Sequence, residues 1–152
     1  MKGISLIEVL IVMVIIVLIA MFIVPKFLDY YYQDQVRGDS LKIAATLRAA
    51  RDKSRMQEDN QSWGVYFVNS SSGTDYFILY KGAPYSGSSV NVQRVNLNPN
   101  VQFSTPPSSS TLDVSFNKMT GLPASTASII ISLINNPTSA TISVLGSGEV
   151  QY

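Results

Sequence analysis

The chain has 152 residues, a formal net charge of +1 at pH 7, no cysteine and no histidine. Without cysteine it cannot form a disulfide or a thiolate metal site, and without histidine it lacks the commonest general base and metal ligand. The balanced charge gives no global argument for nucleic acid or an anionic surface as a partner. We therefore expect a protein that is not an enzyme and that binds no cofactor and no metal.

The opening segment carries the most unusual pattern in the chain. Residues 4–24 are almost entirely apolar, Glu8 is their only charge, and Pro25 follows directly. At about 1.5 Å per residue this run measures roughly 30 Å, the thickness of a bilayer's hydrocarbon core. The pattern predicts a transmembrane helix over residues 4–25. A carboxylate near the centre of such a helix costs about 2.5–3.5 kcal/mol, so Glu8 needs a partner.

Three interpretations of this run are open. A secretory signal peptide would have a shorter apolar core and a small-residue cleavage site, which the stretch AMFIVPKF does not provide. An ordinary signal anchor explains the length but not the position of Glu8. If the chain is cut between Gly3 and Ile4, the new amine of Ile4 lies one helical turn before Glu8, and it can pair with Glu8 of a neighbouring copy in an apolar bundle.

The stretch GISLIEVL, the apolar run and Pro25 together resemble the prepilin leader of type IV pilins and type II secretion pseudopilins. The resemblance implies that a dedicated peptidase cuts after Gly3 and N-methylates Ile4, and that Glu8 and Pro25 serve assembly. It also implies the partners: the prepilin peptidase and N-methyltransferase, other pilin or pseudopilin subunits, an inner-membrane assembly platform, and membrane lipid before assembly. Residues 1–3 are then a leader peptide.

The predicted localisation follows from the same run. Lys2 is the only charge before it, which favours a cytoplasmic N-terminus and an outward C-terminal domain. We expect a single-pass inner-membrane protein with a periplasmic or extracytoplasmic domain, which later enters a pseudopilus or pilus filament.

A second helical segment is predicted over residues 26–59. It holds seven basic and six acidic side chains among strong helix formers. Its least polar positions recur at spacings of three and four, which places them on one face, suited to lying against a sheet. Pro25 should kink the helix at the start of this segment. The stripe consists of Val36, Ser40, Ile43, Leu47, Ala50 and Ser54.

Residues 60–152 form a β-rich globular domain. They hold only three acids and three bases, and short β-rich runs alternate with Ser, Asn, Gly and Pro turns. We predict strands over residues 63–68, 76–80, 90–97, 101–105, 112–116, 128–134 and 140–145, with a bulge at residues 93–94 and a short edge strand in the final GSGEVQY. The first two form one hairpin, and the last two long strands form another.

The predicted fold class is α+β, pilin-like: a long N-terminal helix, transmembrane in its first half, packed on a C-terminal antiparallel sheet or small sandwich. The order LRAARDKSRMQ, WGVYF, DYFILY, FNKMTGLP and ATISVLGSGEV is similar to the H-type minor pseudopilins and their minor-pilin relatives.

Other candidate sites favour a structural interpretation. Arg48, Arg51 and Arg55 share a helix face and could contact phosphate, but a solvated face with local pairs to Asp52, Glu58 and Asp59 is the more ordinary explanation. The tyrosines at residues 30–32 suit a filament contact or an interfacial aromatic belt equally well. The acids after residue 60 are too scattered in sequence to suggest a carboxylate pair.

The sequence thus predicts a structural subunit, a minor pseudopilin or pilin of a type II secretion pseudopilus or type IV pilus. Alternatives are a minor pilin that binds DNA for uptake, a major pilin of a surface fibre, and a plain membrane-anchored β domain. Nucleic acid is the least expected partner.

Overall fold

The computed structural model describes residues 5–134 and 137–152, and within the first helix it leaves the side chains of residues 22–29 undescribed. Helix α1 comes first and a 3-10 turn, Glu58–Asn60, follows it. Gln57, at φ +54°, is left-handed just after the end of α1. The elements are α1 (Leu6–Arg55), β1 (Trp63–Val68), β2 (Tyr76–Lys81), β3 (Val90–Asn96), β4 (Val101–Thr105), β5 (Thr111–Phe116), β6 (Ala127–Leu133), β7 (Ser139–Val144) and β8 (Val150–Gln151).

The chain separates into two compact units, Met1–Asp34 and Gln35–Tyr152. The described part of the first unit is helical. The second unit is mostly β and contains the last part of α1 together with all the strands listed above.

The predicted fold class is wrong in two respects. Crossing a bilayer takes about 20 predominantly apolar residues, and none of the helices among the described residues is long and apolar enough to do so. The other part of the prediction, a long N-terminal helix packed on an antiparallel sheet or small sandwich, is also not what the chain forms. Residues up to Asp34 belong to a unit of their own, and the strands divide between two antiparallel sheets.

The membrane finding also overturns the predicted localisation. A single-pass inner-membrane protein with a cytoplasmic N-terminus requires a spanning helix, and the described residues provide none.

The strands form two four-stranded antiparallel sheets. The first has the order β3-β2-β1-β5 and the second the order β4-β6-β7-β8. Both predicted hairpins are confirmed, since β1 pairs with β2 and β6 pairs with β7. The final edge strand is confirmed as β8, which pairs with β7. The bulge in β3 lies at Val92, one residue before the predicted position, because the register steps from Gln93 to Asn91 across Leu79 and Tyr80.

The core of the second unit buries the predicted helical stripe. All six stripe residues are buried, including the polar Ser40 and Ser54. Ser54 Oγ accepts a hydrogen bond of 2.8 Å from the backbone N–H of Trp63, which ties the end of α1 to the start of β1. The two sheets meet where Phe67 of β1 packs edge-on against Phe103 of β4, with ring centroids 5.7 Å apart.

Candidate functional site

Four residues were predicted to serve processing or assembly, and the two assembly residues, Glu8 and Pro25, lie within the described helix α1. Gly3 and Ile4 lie outside the described residues, so the predicted cleavage and methylation positions have no structural account. Glu8 lies in the first turn of α1. Pro25 lies within α1, but its side chain and the kink predicted there lie outside what the structure describes.

The side chain of Glu8 is exposed on an open apolar groove. The groove has a volume of about 340 Å³ and is lined by Glu8, Val9, Val12, Met13 and Ile16. Glu8, Val12 and Ile16 are spaced four positions apart, as are Val9 and Met13, which places the set along one face of the helix. The Glu8 carboxylate makes no hydrogen bond or ion pair with any residue that the structure describes. Among the described residues, Glu8 is therefore an acid on an apolar surface without a hydrogen-bond or ion-pair partner.

The apolar surface extends around the whole of this helical segment. Among the large apolar side chains from Leu6 to Met21, the exposed fraction ranges from 48% at Val9 to 83% at Leu6. A helix that is apolar on every side is ordinarily buried in a larger body. A continuous apolar surface of this extent marks a site of interaction. We take residues 6–21 as the candidate functional site and call them the apolar helix.

Two exposed tyrosines follow in the same unit. Tyr30 and Tyr31 are both exposed, and the ring of Tyr31 packs edge-on against Tyr32 at 5.8 Å between centroids. The aromatic-belt interpretation required a membrane-spanning helix, which the described residues lack. The contact interpretation requires only accessible rings, and these two are accessible.

The arginine face is occupied by contacts within the second unit. Arg48 Nη2 donates to the carbonyl of Val150 at 2.9 Å, and its guanidinium lies 5.1 Å from the ring centre of Tyr152. Arg51 Nη1 donates to the carbonyl of Gly148 at 3.1 Å. These bonds fasten the C-terminal segment to α1, which sequence reasoning did not anticipate.

The local ion pairs that were expected on this face form only in part. Arg51 pairs with Asp52. Glu58 pairs with Lys53 instead, and Asp59 pairs with Lys81 at 2.7 Å. The hydrogen bond and charge of Lys81 lower the pKa of Asp59 below its ordinary value.

A cluster of tyrosines on the first sheet was also missed. Tyr80 Oη donates to Asp113 Oδ1 at 2.5 Å, and Tyr85 stacks on Tyr66 with centroids 3.9 Å apart. Burial, and then the hydrogen bond to Asp113 and its charge, raise the pKa of Tyr80 above its ordinary value. One sequence signal could have located the cluster: Gly64, inside the run WGVYFV, since glycine within a strand often marks a close approach.

The three acids after residue 60 have separate surroundings. Asp75 accepts backbone hydrogen bonds from Ser70 and Phe103. Asp113 accepts a hydrogen bond from the hydroxyl of Tyr80. Glu149 accepts one from the side-chain amide of Gln151.

Comparisons of the chain with protein-family models, with curated proteins and with solved structures found no match.

Proposed function

We propose that this chain is a structural subunit of a filament, a minor pseudopilin or pilin that assembles through its apolar helix. The observation that carries the proposal is the exposure of large apolar side chains on all sides of residues 6–21, with one acid among them. Burying such a surface against other helices releases about 25 cal/mol for each Å² of apolar area removed from water. Copies of the same helix, or helices of related subunits, are partners of matching chemistry.

Glu8 sets the alignment of neighbouring subunits in this proposal. Cleavage after Gly3 would give Ile4 a charged amine one helical turn before Glu8. The amine of one subunit and the carboxylate of the next then offset each other's cost of burial. The pair need not add net stability. Its value lies in excluding alignments that would leave either charge buried alone.

The arginine face does not favour the DNA-uptake alternative. Arg48 and Arg51 donate to backbone carbonyls of the C-terminal segment, so these donors are already engaged. A phosphate contact would have to replace bonds that the fold itself uses. The filament proposal needs no such exchange.

Mass spectrometry of the N-terminus tests the proposal. Protein is isolated from a host that has the processing peptidase, and the expected chain begins at Ile4 with a methylated amine. A Gly3→Val variant is the matched control, and it should retain Met1. A wild-type chain that also retains Met1 in this host contradicts the proposal.

A further inference from the structure

A second candidate site lies in the β-rich unit, far along the chain from the apolar helix. A cavity of about 430 Å³ opens between the β1–β2 turn, strand β4 and the β4–β5 loop. Its volume falls within the range of about 300–1,000 Å³ that is usual for small-molecule sites. Exposed polar residues form its rim, namely Ser71, Thr74, Gln102 and Ser108.

The described lining of the cavity offers no free charge to a ligand. Among the described residues that line it, Asp75 is the only ionisable one. One carboxylate oxygen of Asp75 accepts from the backbone N–H of Ser70 at 2.8 Å, and the other accepts from the N–H of Phe103 at 2.7 Å. Because both oxygens are engaged and the residue is buried, Asp75 shapes the wall rather than attracting a cation.

The side-chain amide of Asn69 is held in place at the same site. Its Nδ2 group donates to the carbonyls of Phe103 and Pro106, both at 2.8 Å, and the residue is 6% exposed. These two bonds fix the orientation of the amide in the cavity wall.

The cavity adjoins an uncharged sheet surface. Gln102 lines the cavity and also lies on the outer side of the second sheet, where Ser104 and Ser132 share a hydrogen bond of 2.7 Å between their hydroxyls. Paired residues continue this surface across β6 and β7. We call it the hydroxyl face. It consists of Gln102, Ser104, Ser128, Ile130, Ser132, Ser139, Thr141 and Ser143, of which Ile130 is the one apolar member.

The hydroxyl face differs from an ordinary solvated sheet surface. Exposed strand positions usually include charged residues, at about 25–35% of a soluble surface, and the hydroxyl face has none. Its strands lie about 4.8 Å apart, and residues on one side recur about every 6.7 Å along each strand. The result is an array of small groups that both donate and accept hydrogen bonds, interrupted on β6 by the apolar side chain of Ile130.

We propose that this region binds a neutral polysaccharide, with one hexose unit in the cavity and the adjoining chain along the hydroxyl face. Hexose hydroxyls are donors and acceptors without charge, which matches the rim hydroxyls and the Gln102 amide. A charged polymer would find no counter-ion in either place. The proposal is independent of the filament function, because it concerns only the β-rich unit.

Affinity electrophoresis of the full chain tests the proposal. The chain is solubilised in a polyoxyethylene detergent, since a glycoside detergent would compete for the site. Native gels contain dextran, soluble starch, hydroxyethylcellulose or galactomannan, and parallel gels contain polygalacturonate. We expect retardation by at least one neutral polymer and none by polygalacturonate. No retardation by any neutral polymer, or equal retardation by polygalacturonate, overturns the proposal.

Two glutamine variants provide the matched comparison. Gln102→Glu places a charge at the junction of cavity and hydroxyl face, and Gln93→Glu places the same charge on exposed β3 of the other sheet. Gln102→Glu should weaken binding about fivefold or more, the effect of at least one lost hydrogen bond. Gln93→Glu should leave it unchanged. Equal weakening by both variants overturns the site assignment.

A third variant separates the two parts of the site. Thr141→Lys changes the hydroxyl face away from the cavity, so it should weaken binding of the polymer that retards the chain while leaving binding of its short oligosaccharides unchanged. Loss of binding to both would mean that the cavity is not the primary site.

Discussion

Tyr80 lies directly over Gly64 on the neighbouring strand of the first sheet. The two residues are paired across β1 and β2, and a Cβ atom added to Gly64 would come within 2.5 Å of Tyr80 Oη and 2.7 Å of Tyr80 Cζ. The ring crosses the strand at this glycine and reaches Asp113 on β5. A small residue in β1 thus permits a hydrogen bond that joins three strands.

Gly64→Ala should destabilise the second unit. The atoms that a methyl group would meet belong to a rigid ring, so the ring or the strand must shift, at a cost of about 1–3 kcal/mol. The measurement is unfolding in guanidinium chloride, followed by the fluorescence of Trp63, the only tryptophan, and by circular dichroism. Gly87→Ala is the control, because its Cβ would meet nothing within 4 Å. Equal midpoints for the two variants would contradict the role of Gly64.

Tyr80→Phe should reduce the loss of stability at alkaline pH. Burial and Asp113 raise the pKa of Tyr80 in the folded chain above its unfolded value of about 10. Because the pKa is raised in the folded state, the neutral Tyr80 hydroxyl contributes its full stabilisation below about pH 10. This contribution is lost as the pH rises toward the folded pKa. The free energy of unfolding of the wild type should therefore fall more steeply above pH of about 10 than that of Tyr80→Phe. Tyr30→Phe, at an exposed tyrosine, serves as the control, and identical profiles for all three proteins would refute the coupling.

Gly121→Ala should be strongly destabilising for two separable reasons. Gly121 has φ +66°, which costs other residues about 1–2 kcal/mol, and an added Cβ would clash with Arg55 Cγ. Adding Arg55→Ala to this variant should restore the stability lost through the clash with Arg55. The stability lost because alanine is forced to a positive φ should remain lost. Gly38→Ala, on open helix surface, should instead stabilise by about 0.8–1.0 kcal/mol. Denaturant midpoints of the four proteins test these signs, and full recovery in the double variant would show that the positive φ costs nothing.

Glu8→Val should be processed normally but fail to enter filaments. The substitution removes the carboxylate that offsets the Ile4 amine of a neighbouring subunit, which would then be buried alone. Incorporation is measured by immunoblotting of sheared filaments, and processing by the mass of the N-terminus. Asp34→Asn, an acid outside the apolar helix, is the control and should incorporate normally. Wild-type amounts of Glu8→Val in filaments would contradict the proposed pairing.

Local sequence patterns located most of the secondary structure. The stripe from Val36 to Ser54 is buried in the second unit, as its spacing predicts. Both hairpins formed where turn residues separate two β-rich runs. The prediction of a membrane-spanning helix was wrong, because a run of apolar residues does not by itself show that a helix can cross a bilayer.

The sequence by itself determined where the backbone is helical or extended and which side of α1 is buried, because periodicity and turn chemistry act between residues close in the chain. Only the tertiary structure decided that β4 and β5, which flank one loop, join different sheets. It also decided that Arg48 and Arg51 hold the C-terminal segment, that Tyr80 crosses Gly64, and that Asn69 lines a cavity. These relationships join residues separated by 16 to 102 positions along the chain, and no local pattern specifies which distant partner a side chain will meet.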